Sequence, residues 1–368
     1  MTARDPARHG AGPTLAVALD AVAANWHALR ARHPSGPVAA VVKADAYGLG
    51  AARVAPRLLA EGCRHFFTAH LDEALALRPL LPGALLCVLN GLWPGQEAEF
   101  AAGGVVPVLG SLAELAAWSA QARALGRRLP ALLHVDTGMN RLGLPPDELD
   151  RLAAEPAALD GLDVLYVMTH LVAAEAPDDP ANAAQLARFR DACARLPPLP
   201  RSVANSSGLF LGPEYGSDLA RPGAALYGIN PTPGRPNPMR DVVGLTAPVL
   251  QLRDVPAGAR VGYNGIWTAP RPSRIATVSV GYADGFLRSL SNRATAFFDG
   301  APVPLVGRVS MDLATFDATD HPDLRPGGLL ELIGPHMPPD AVAARAGTNG
   351  YEVLTSLGRR YRRVYGGA

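Results

Sequence analysis

Lys43 ends the apolar run "PVAAVVK" and is followed at once by the glycine-broken segment "ADAYGLG". An amine at the mouth of a buried strand is partly desolvated, which lowers its proton affinity and makes it a nucleophile toward carbonyl carbon. Taken alone, a strand-end lysine most often carries its head to water along an apolar stem, so the reading depends on what gathers around it. Other polar groups follow short apolar runs in the same way. Asp136 and Arg141 come after "ALLHV", and His170 ends "LDVLYVMTH". Asn205, Ser206 and Ser207 come after "PRSVA", and Arg221 with Gly223 stands beside "AALYGI". An amine, fixed guanidinium charges, and hydroxyls and backbone donors beside glycine are equipment for holding an anionic carbonyl compound.

These residues share one rim only if the runs are parallel strands. The candidates are "PVAAVVKA", "HFFTAH", "LLCVLN", "VVPVLG", "ALLHVD", "LDVLYVMTH", "PRSVAN" and "ALYGI". Alanine- and leucine-rich stretches of helical spacing lie between several of them, as at 111–126 and 182–196. Ser111 reads as the N-cap of the first stretch, with Glu114 completing a capping box. The alternation predicts an α/β chain: a (β/α)8 TIM-like barrel over 14–239, after an N-terminal tail of 1–13. An open doubly wound sheet is the alternative, but "GLGAAR" has arginine where the dinucleotide fingerprint needs its third glycine. Beyond the Pro-rich 230–239, segments such as "APVLQLRDV", "RIATVSVGY" and "GLLELIG" predict a C-terminal mostly-β domain over 240–368. Barrel sites lie at the carboxyl ends of the strands, with phosphate commonly held after strands seven and eight. A phosphate-bearing carbonyl compound met there by an amine is what pyridoxal 5′-phosphate would be.

Composition narrows the partners. A net charge of +1 argues against nucleic acid or a membrane surface, and "RRYRR" at 359–363 reads as a solvated terminal strand or turn. Cys63, Cys87 and Cys193 form no CxxC pair, so neither a disulfide framework nor a metal site is expected. No apolar run approaches the ~20 residues of a membrane span, and "MTARDPARHGAGP" lacks a signal peptide's apolar core; a cytoplasmic protein is expected. HExxH, GxSxG and P-loop patterns are absent.

The chain resembles the alanine racemases. "AVVKADAYGLG", "HVDTGMNRLG", "ANSSG", "RPGAALYG", "VGYNGIW", "VGYADG", "GRVSMD" and "GYEVLTSLG" follow in that family's order over residues 14 to 365. The resemblance implies a pyridoxal-phosphate isomerase that interconverts L- and D-alanine and supplies D-alanine for the cell wall, built as a head-to-tail homodimer with shared active sites. It implies Lys43 as cofactor-bearing lysine and base, with Tyr263 of the second subunit as the opposite base. Tyr47, Ser206, Gly223, Ala224 and Tyr351 would hold the phosphate, Asn205 would lie with them, and His170 and Arg221 would contact the ring. Arg141 and Met311 would bind the substrate carboxylate. Tyr282, Arg288, Arg308, Asp312 and Glu175 would support the site or line its access corridor.

The sequence departs from the family at His134, where many members carry a lysine modified to a carbamate that orients the arginine. A bound anion or a direct histidine contact are the two replacements weighed. Glu175, Ser202 and Asn349 also depart from the usual corridor residues. The competing readings are a broader amino-acid racemase, a barrel-type decarboxylase, disfavoured by a carboxylate-holding Arg141, and a cofactor carrier, disfavoured by the β domain.

Overall fold

The computed structural model describes residues 12–366, so most of the expected tail of 1–13 lies outside the described residues. The first strand, β1 (Thr14–Ala18), is grouped with the barrel by the sequence reading. It pairs instead with strands of the second domain, through whose sheet the chain enters. The barrel strands follow: β2 (Ala40–Val41), β3 (His65–Thr68), β4 (Leu85–Val88), β5 (Val106–Leu109), β6 (Leu129–His134), β7 (Leu162–Met168) and β8 (Arg201–Ser202). These seven pair in parallel and in sequence order. Neighbouring residues on each strand face opposite ways. Phe67, Cys87, Val108, Leu132 and Met168 fill the lumen, while Phe66, Leu86, Leu109 and Leu133 pack outward in the core shared with the helices. Burial on both faces explains why these strands read as continuous apolar runs.

The ring is closed by a segment other than the expected eighth strand. Ala39 N–H donates to Ala220 O (2.8 Å), Val41 N–H to Pro222 O (3.0 Å), and Leu219 N–H to Arg201 O (3.2 Å), which seats residues 219–222 between β8 and β2. "ALYGI" forms a buried 3-10 turn, Ala224–Tyr227, beneath the helix Leu19–Arg32, whose Asn25 donates to Leu226 O at 3.2 Å. Run length and hydrophobicity do not separate a short strand from a buried turn. The helix Leu112–Leu125 begins at Ser111, whose hydroxyl accepts Glu114 N–H (3.2 Å). The Glu114 carboxylate does not close the box. It accepts Gly110 N–H (2.6 Å) and Leu92 N–H (3.0 Å), tying two βα loops together.

The second domain is built on β9 (Val243–Val255), a 13-residue strand. After it come the hairpin β10 (Arg260–Val261) and β11 (Trp267–Thr268), a two-stranded sheet of its own, then β12 (Ser273–Val278), β13 (Thr295–Phe298), β14 (Ala301–Pro304), β15 (Ala314–Asp317), β16 (Leu329–Ile333) and β17 (Arg362–Gly366). The first half of β9 pairs with β1 and β16, and its second half with β12. The "RRYRR" segment leads into the edge strand β17, with Tyr361 buried and Arg362 exposed. No helix among the described residues is long and apolar enough to cross a membrane.

Candidate active site

At the carboxyl end of the barrel strands lies a cavity of about 570 Å³, and the expected rim residues meet there. Lys43, Tyr47, His134, Arg141, His170, Glu175, Asn205, Ser206, Arg221, Gly223, Ala224 and Tyr351 all line it.

Lys43 enters from β2. Val42 N–H donates to Phe67 O (2.8 Å), and immediately after Lys43 the chain turns the wrong way for L-residues. Ala44, Asp45, Ala46 and Tyr47 have φ of 52°, 55°, 55° and 54°, one turn of left-handed helix. Each such residue costs about 1–2 kcal/mol, so the turn exists only where its surroundings hold it. Asp45 Oδ1 accepts Ala51 N–H (2.7 Å), and Glu73 Oε1 accepts Ala44 N–H (2.6 Å). The Tyr47 ring packs on Tyr227 at a centroid distance of 4.8 Å, and Tyr227 Oη donates to Val41 O (2.9 Å). Burial lowers the Lys43 pKa, the Arg141 charge lowers it further, and Glu73 opposes both.

The Ser206 hydroxyl is tied to the backbone turn that begins at Gly223. Ser206 Oγ accepts Gly223 N–H (3.0 Å) and Ala225 N–H (3.2 Å), leaving its own O–H free to donate. A Cβ at Gly223 would fall 2.4 Å from Tyr47 Oη, so the absence of a side chain is what brings that phenol against the backbone. Burial holds the Tyr47 pKa up at about 12, keeping it a hydroxyl donor. The Tyr351 hydroxyl donates to the Glu175 carboxylate across the cavity wall. Asn205 Oδ1 accepts Gly208 N–H (2.8 Å) and so shapes the loop behind Ser206.

Arg221 is buried. It donates to Thr169 O (2.5 Å) and to Ser202 Oγ, and Ser202 in turn donates to Leu219 O (2.6 Å). Ser202 is thus an arginine partner inside the barrel wall, not a corridor residue. Burial lowers the Arg221 pKa to about 10, which leaves it charged at neutral pH. The same burial, with Arg221 and Arg141 close by, lowers His134 to about 4 and His170 to about 3, so both imidazoles are neutral.

No hydrogen bond joins His134 to Arg141 among the described residues; the Arg141 charge instead helps to keep the imidazole unprotonated. The loop that carries Arg141 is held through its backbone. Asp136 Oδ1 accepts Gly138 N–H (2.9 Å), Met139 N–H (2.9 Å) and Asn140 N–H (3.2 Å). Behind it, buried Gln185 donates to Thr137 Oγ1 (3.1 Å) and His170 O (3.0 Å), and Arg188 donates to Thr137 O (2.5 Å). Glu73, Gln185 and Thr137 are supports that the sequence reading missed. A capping pattern at "HLDE" was the one available signal, and it points only to a helix start.

Tyr263, Tyr282, Arg288, Arg308, Met311 and Asp312 do not line the cavity of a single chain. They lie in the turns that follow β10, β12 and β14 of the second domain. Tyr282 N–H donates to Ser310 O (3.0 Å), Ala283 N–H to Met311 O (3.0 Å), and Asp312 pairs with Arg360 (2.7 Å). Tyr263 rides the turn between β10 and β11 and is 68% exposed, with Met311 at 54%.

Two family models match in tandem: alanine racemase, N-terminal domain, over residues 17–231, and alanine racemase, C-terminal domain, over 242–365. An alanine racemase of Acidiphilium cryptum is 62% identical over 96% of this chain and 98% of its own length. A catabolic alanine racemase of Agrobacterium fabrum is 50% identical over 98% and 94%. The crystal structure of the Bartonella henselae alanine racemase, with covalently bound pyridoxal phosphate, superimposes with a TM-score of 0.94 at 41% identity, covering 96% of this chain and 99% of that one.

Proposed function

The chain belongs to the alanine racemase family, and on that premise we propose that it interconverts L- and D-alanine with pyridoxal 5′-phosphate, using Lys43 and Tyr263 as bases. The donor set suits that cofactor. It offers an amine of lowered proton affinity, the hydroxyls of Ser206 and Tyr47, and a charged, buried arginine in the cavity lining. When bound, the cofactor supplies an aldehyde carbon for an amine and a conjugated ring that accepts the electron pair left behind by a departing α-proton.

The chain's own residues do the rest. Arg141, on the loop clamped by Asp136, would bind the substrate carboxylate and fix which bond at Cα faces each base. A held carboxylate stays on the product, which favours proton exchange over decarboxylation. Lys43 Nζ, already disfavoured as an ammonium, would take or return the α-proton on one face. Tyr263 Oη would serve the other face from a second copy of the chain, because inversion needs a proton donor and an acceptor on opposite sides. A shared-site homodimer is supported by the exposure of the large side chains Tyr263, Ile266, Tyr282, Met311 and Leu313, because exposed apolar surface marks a protein contact. Arg221 would keep a fixed positive charge beside the ring, where a carboxylate would instead hold a proton.

The observation that carries this reading is one cavity lined both by an amine of lowered proton affinity and by the Ser206 and Tyr47 hydroxyls. The test is chiral chromatography of alanine, serine and lysine incubated with protein and cofactor, alongside Lys43→Ala. D-alanine from L-alanine, lost in the variant together with visible cofactor absorbance, is expected. Release of an amine and carbon dioxide, or an unchanged Lys43→Ala, would refute it.

A further inference from the structure

Glu73 is the third residue of the helix Leu71–Leu77, one βα unit beyond Lys43. Its Oε2 accepts the N–H groups of Ala69 (2.8 Å) and His70 (3.1 Å), which is the usual work of an acidic residue at a helix start. That task needs one oxygen. The other, Oε1, reaches out of the helix and accepts Ala44 N–H at 2.6 Å.

The Ala44 amide lies in the same peptide plane as the Lys43 carbonyl, so holding that N–H fixes the plane on the far side of the Lys43 Cα. On the near side, the Val42 carbonyl accepts Ala46 N–H at 2.9 Å, and one peptide earlier Val42 N–H donates to Phe67 O of β3 at 2.8 Å. Lys43 is therefore bracketed by its own turn and by the strand and helix of the next unit. The clamp falls on the first of the left-handed residues, the point at which the turn would otherwise relax into ordinary backbone. Ala44 and Asp45 are exposed, so packing alone does not hold them.

We propose that Glu73 is a positioning residue for the Lys43 amine, acting through the Ala44 peptide; the inference rests on the reading of Lys43 as the working amine. Its carboxylate also opposes the Arg141 charge at that amine, so removing it changes direction and proton affinity together.

The experiment compares Glu73→Gln and Glu73→Asp with wild type. Glutamine cannot present two acceptor oxygens, and aspartate can still cap its helix while falling one methylene short of Ala44. In the holoenzyme both variants should lose about 10–100-fold in kcat for alanine while KM changes by less than about 3-fold, the signature of a displaced reacting group. In the full-length chain freed of cofactor, the pH dependence of Lys43 acetylation by acetic anhydride, read by peptide mass spectrometry, should move to lower pH in Glu73→Gln. Glu73→Asp should keep a thermal midpoint near wild type. Variants with wild-type kcat, or with lowered midpoints and no change in Lys43 acetylation, would overturn the proposal and leave Glu73 as a helix cap. Lys43→Ala separates the two layers: if it retains racemisation and cofactor absorbance, the functional reading fails whatever Glu73 does.

Discussion

Replacing Gly223 with alanine tests the proposed phosphate site through one methyl group. The φ of Gly223 is −126°, so no left-handed penalty applies and the new contacts dominate. The Cβ would lie 2.4 Å from Tyr47 Oη, 3.0 Å from Cζ and 3.3 Å from Cε2. Ordinary contact begins near about 3.5 Å, so the phenol must retreat by about 1 Å. It has little freedom to do so, because its backbone is left-handed and its ring is stacked on Tyr227 and edged by Tyr351. Overpacking of this kind costs about 1–3 kcal/mol of stability. On the proposed reading, a phenol moved by an ångström would also give up a hydrogen bond to phosphate, worth about 1.5–3 kcal/mol, or about 10–150-fold in cofactor affinity. Fluorescence titration with pyridoxal 5′-phosphate and denaturant unfolding measure the two effects. The control is Tyr47→Phe, which removes the clashing oxygen. The double variant should be more stable than the sum of the singles by at least about 1 kcal/mol. Wild-type cofactor affinity in Gly223→Ala, or strict additivity in the double variant, would refute the geometry.

Asp136→Ala removes the acceptor for the amides of Gly138, Met139 and Asn140; it should cost about 1–2 kcal/mol of stability and raise KM for alanine more than it lowers kcat. Equal changes in both constants would mean that the loop does not position Arg141. Burial, helped by the Arg221 charge, lowers the His134 pKa from 6.5 to about 4. The unfolded chain therefore binds a proton that the folded one refuses, so this contribution is complete above pH 6.5 and is lost as pH falls toward 4. His134→Gln should flatten the pH dependence of urea unfolding in that window by up to about 1.4 kcal/mol per pH unit, and an unchanged slope would refute its burial as a neutral group. Tyr263→Phe, at an exposed position, should leave subunit stability within about 0.5 kcal/mol while slowing exchange of the L-alanine α-proton into deuterated water by about 100-fold or more. Undiminished exchange would remove Tyr263 from the reaction.

The barrel was legible because strands buried on both faces have no choice but to be apolar, and their polar ends mark the rim. The closing segment was not. Residues 219–222 pair with both neighbours, yet they combine a leucine, an alanine, an arginine and a proline, which no period distinguishes from a loop. "ALYGI" misled for the converse reason: it is apolar because it is packed beneath the first helix. Local pattern reports burial, and burial is shared by strands and by turns that happen to be inside.

The site divides in the same way. Lys43, Arg141, His170, Ser206 and Arg221 were found because strand ends in a parallel barrel converge, a consequence of topology alone. Their supports are pairs distant in the chain, such as Gln185 with Thr137, 48 residues apart, and neither partner carries a local sign of the other. Tyr263 and Met311 were named by resemblance only; in a single chain their physical signal is exposure of large side chains, which no sequence window contains. The left-handed turn is the sharpest case. Ala, Asp, Ala and Tyr are ordinary residues with no preference for that conformation as a run, so it must be imposed from outside. What kind of group stands at position 43 is written in the strand before it. Where that group points is decided in part by a carboxylate 29 residues from Ala44, at the start of another helix.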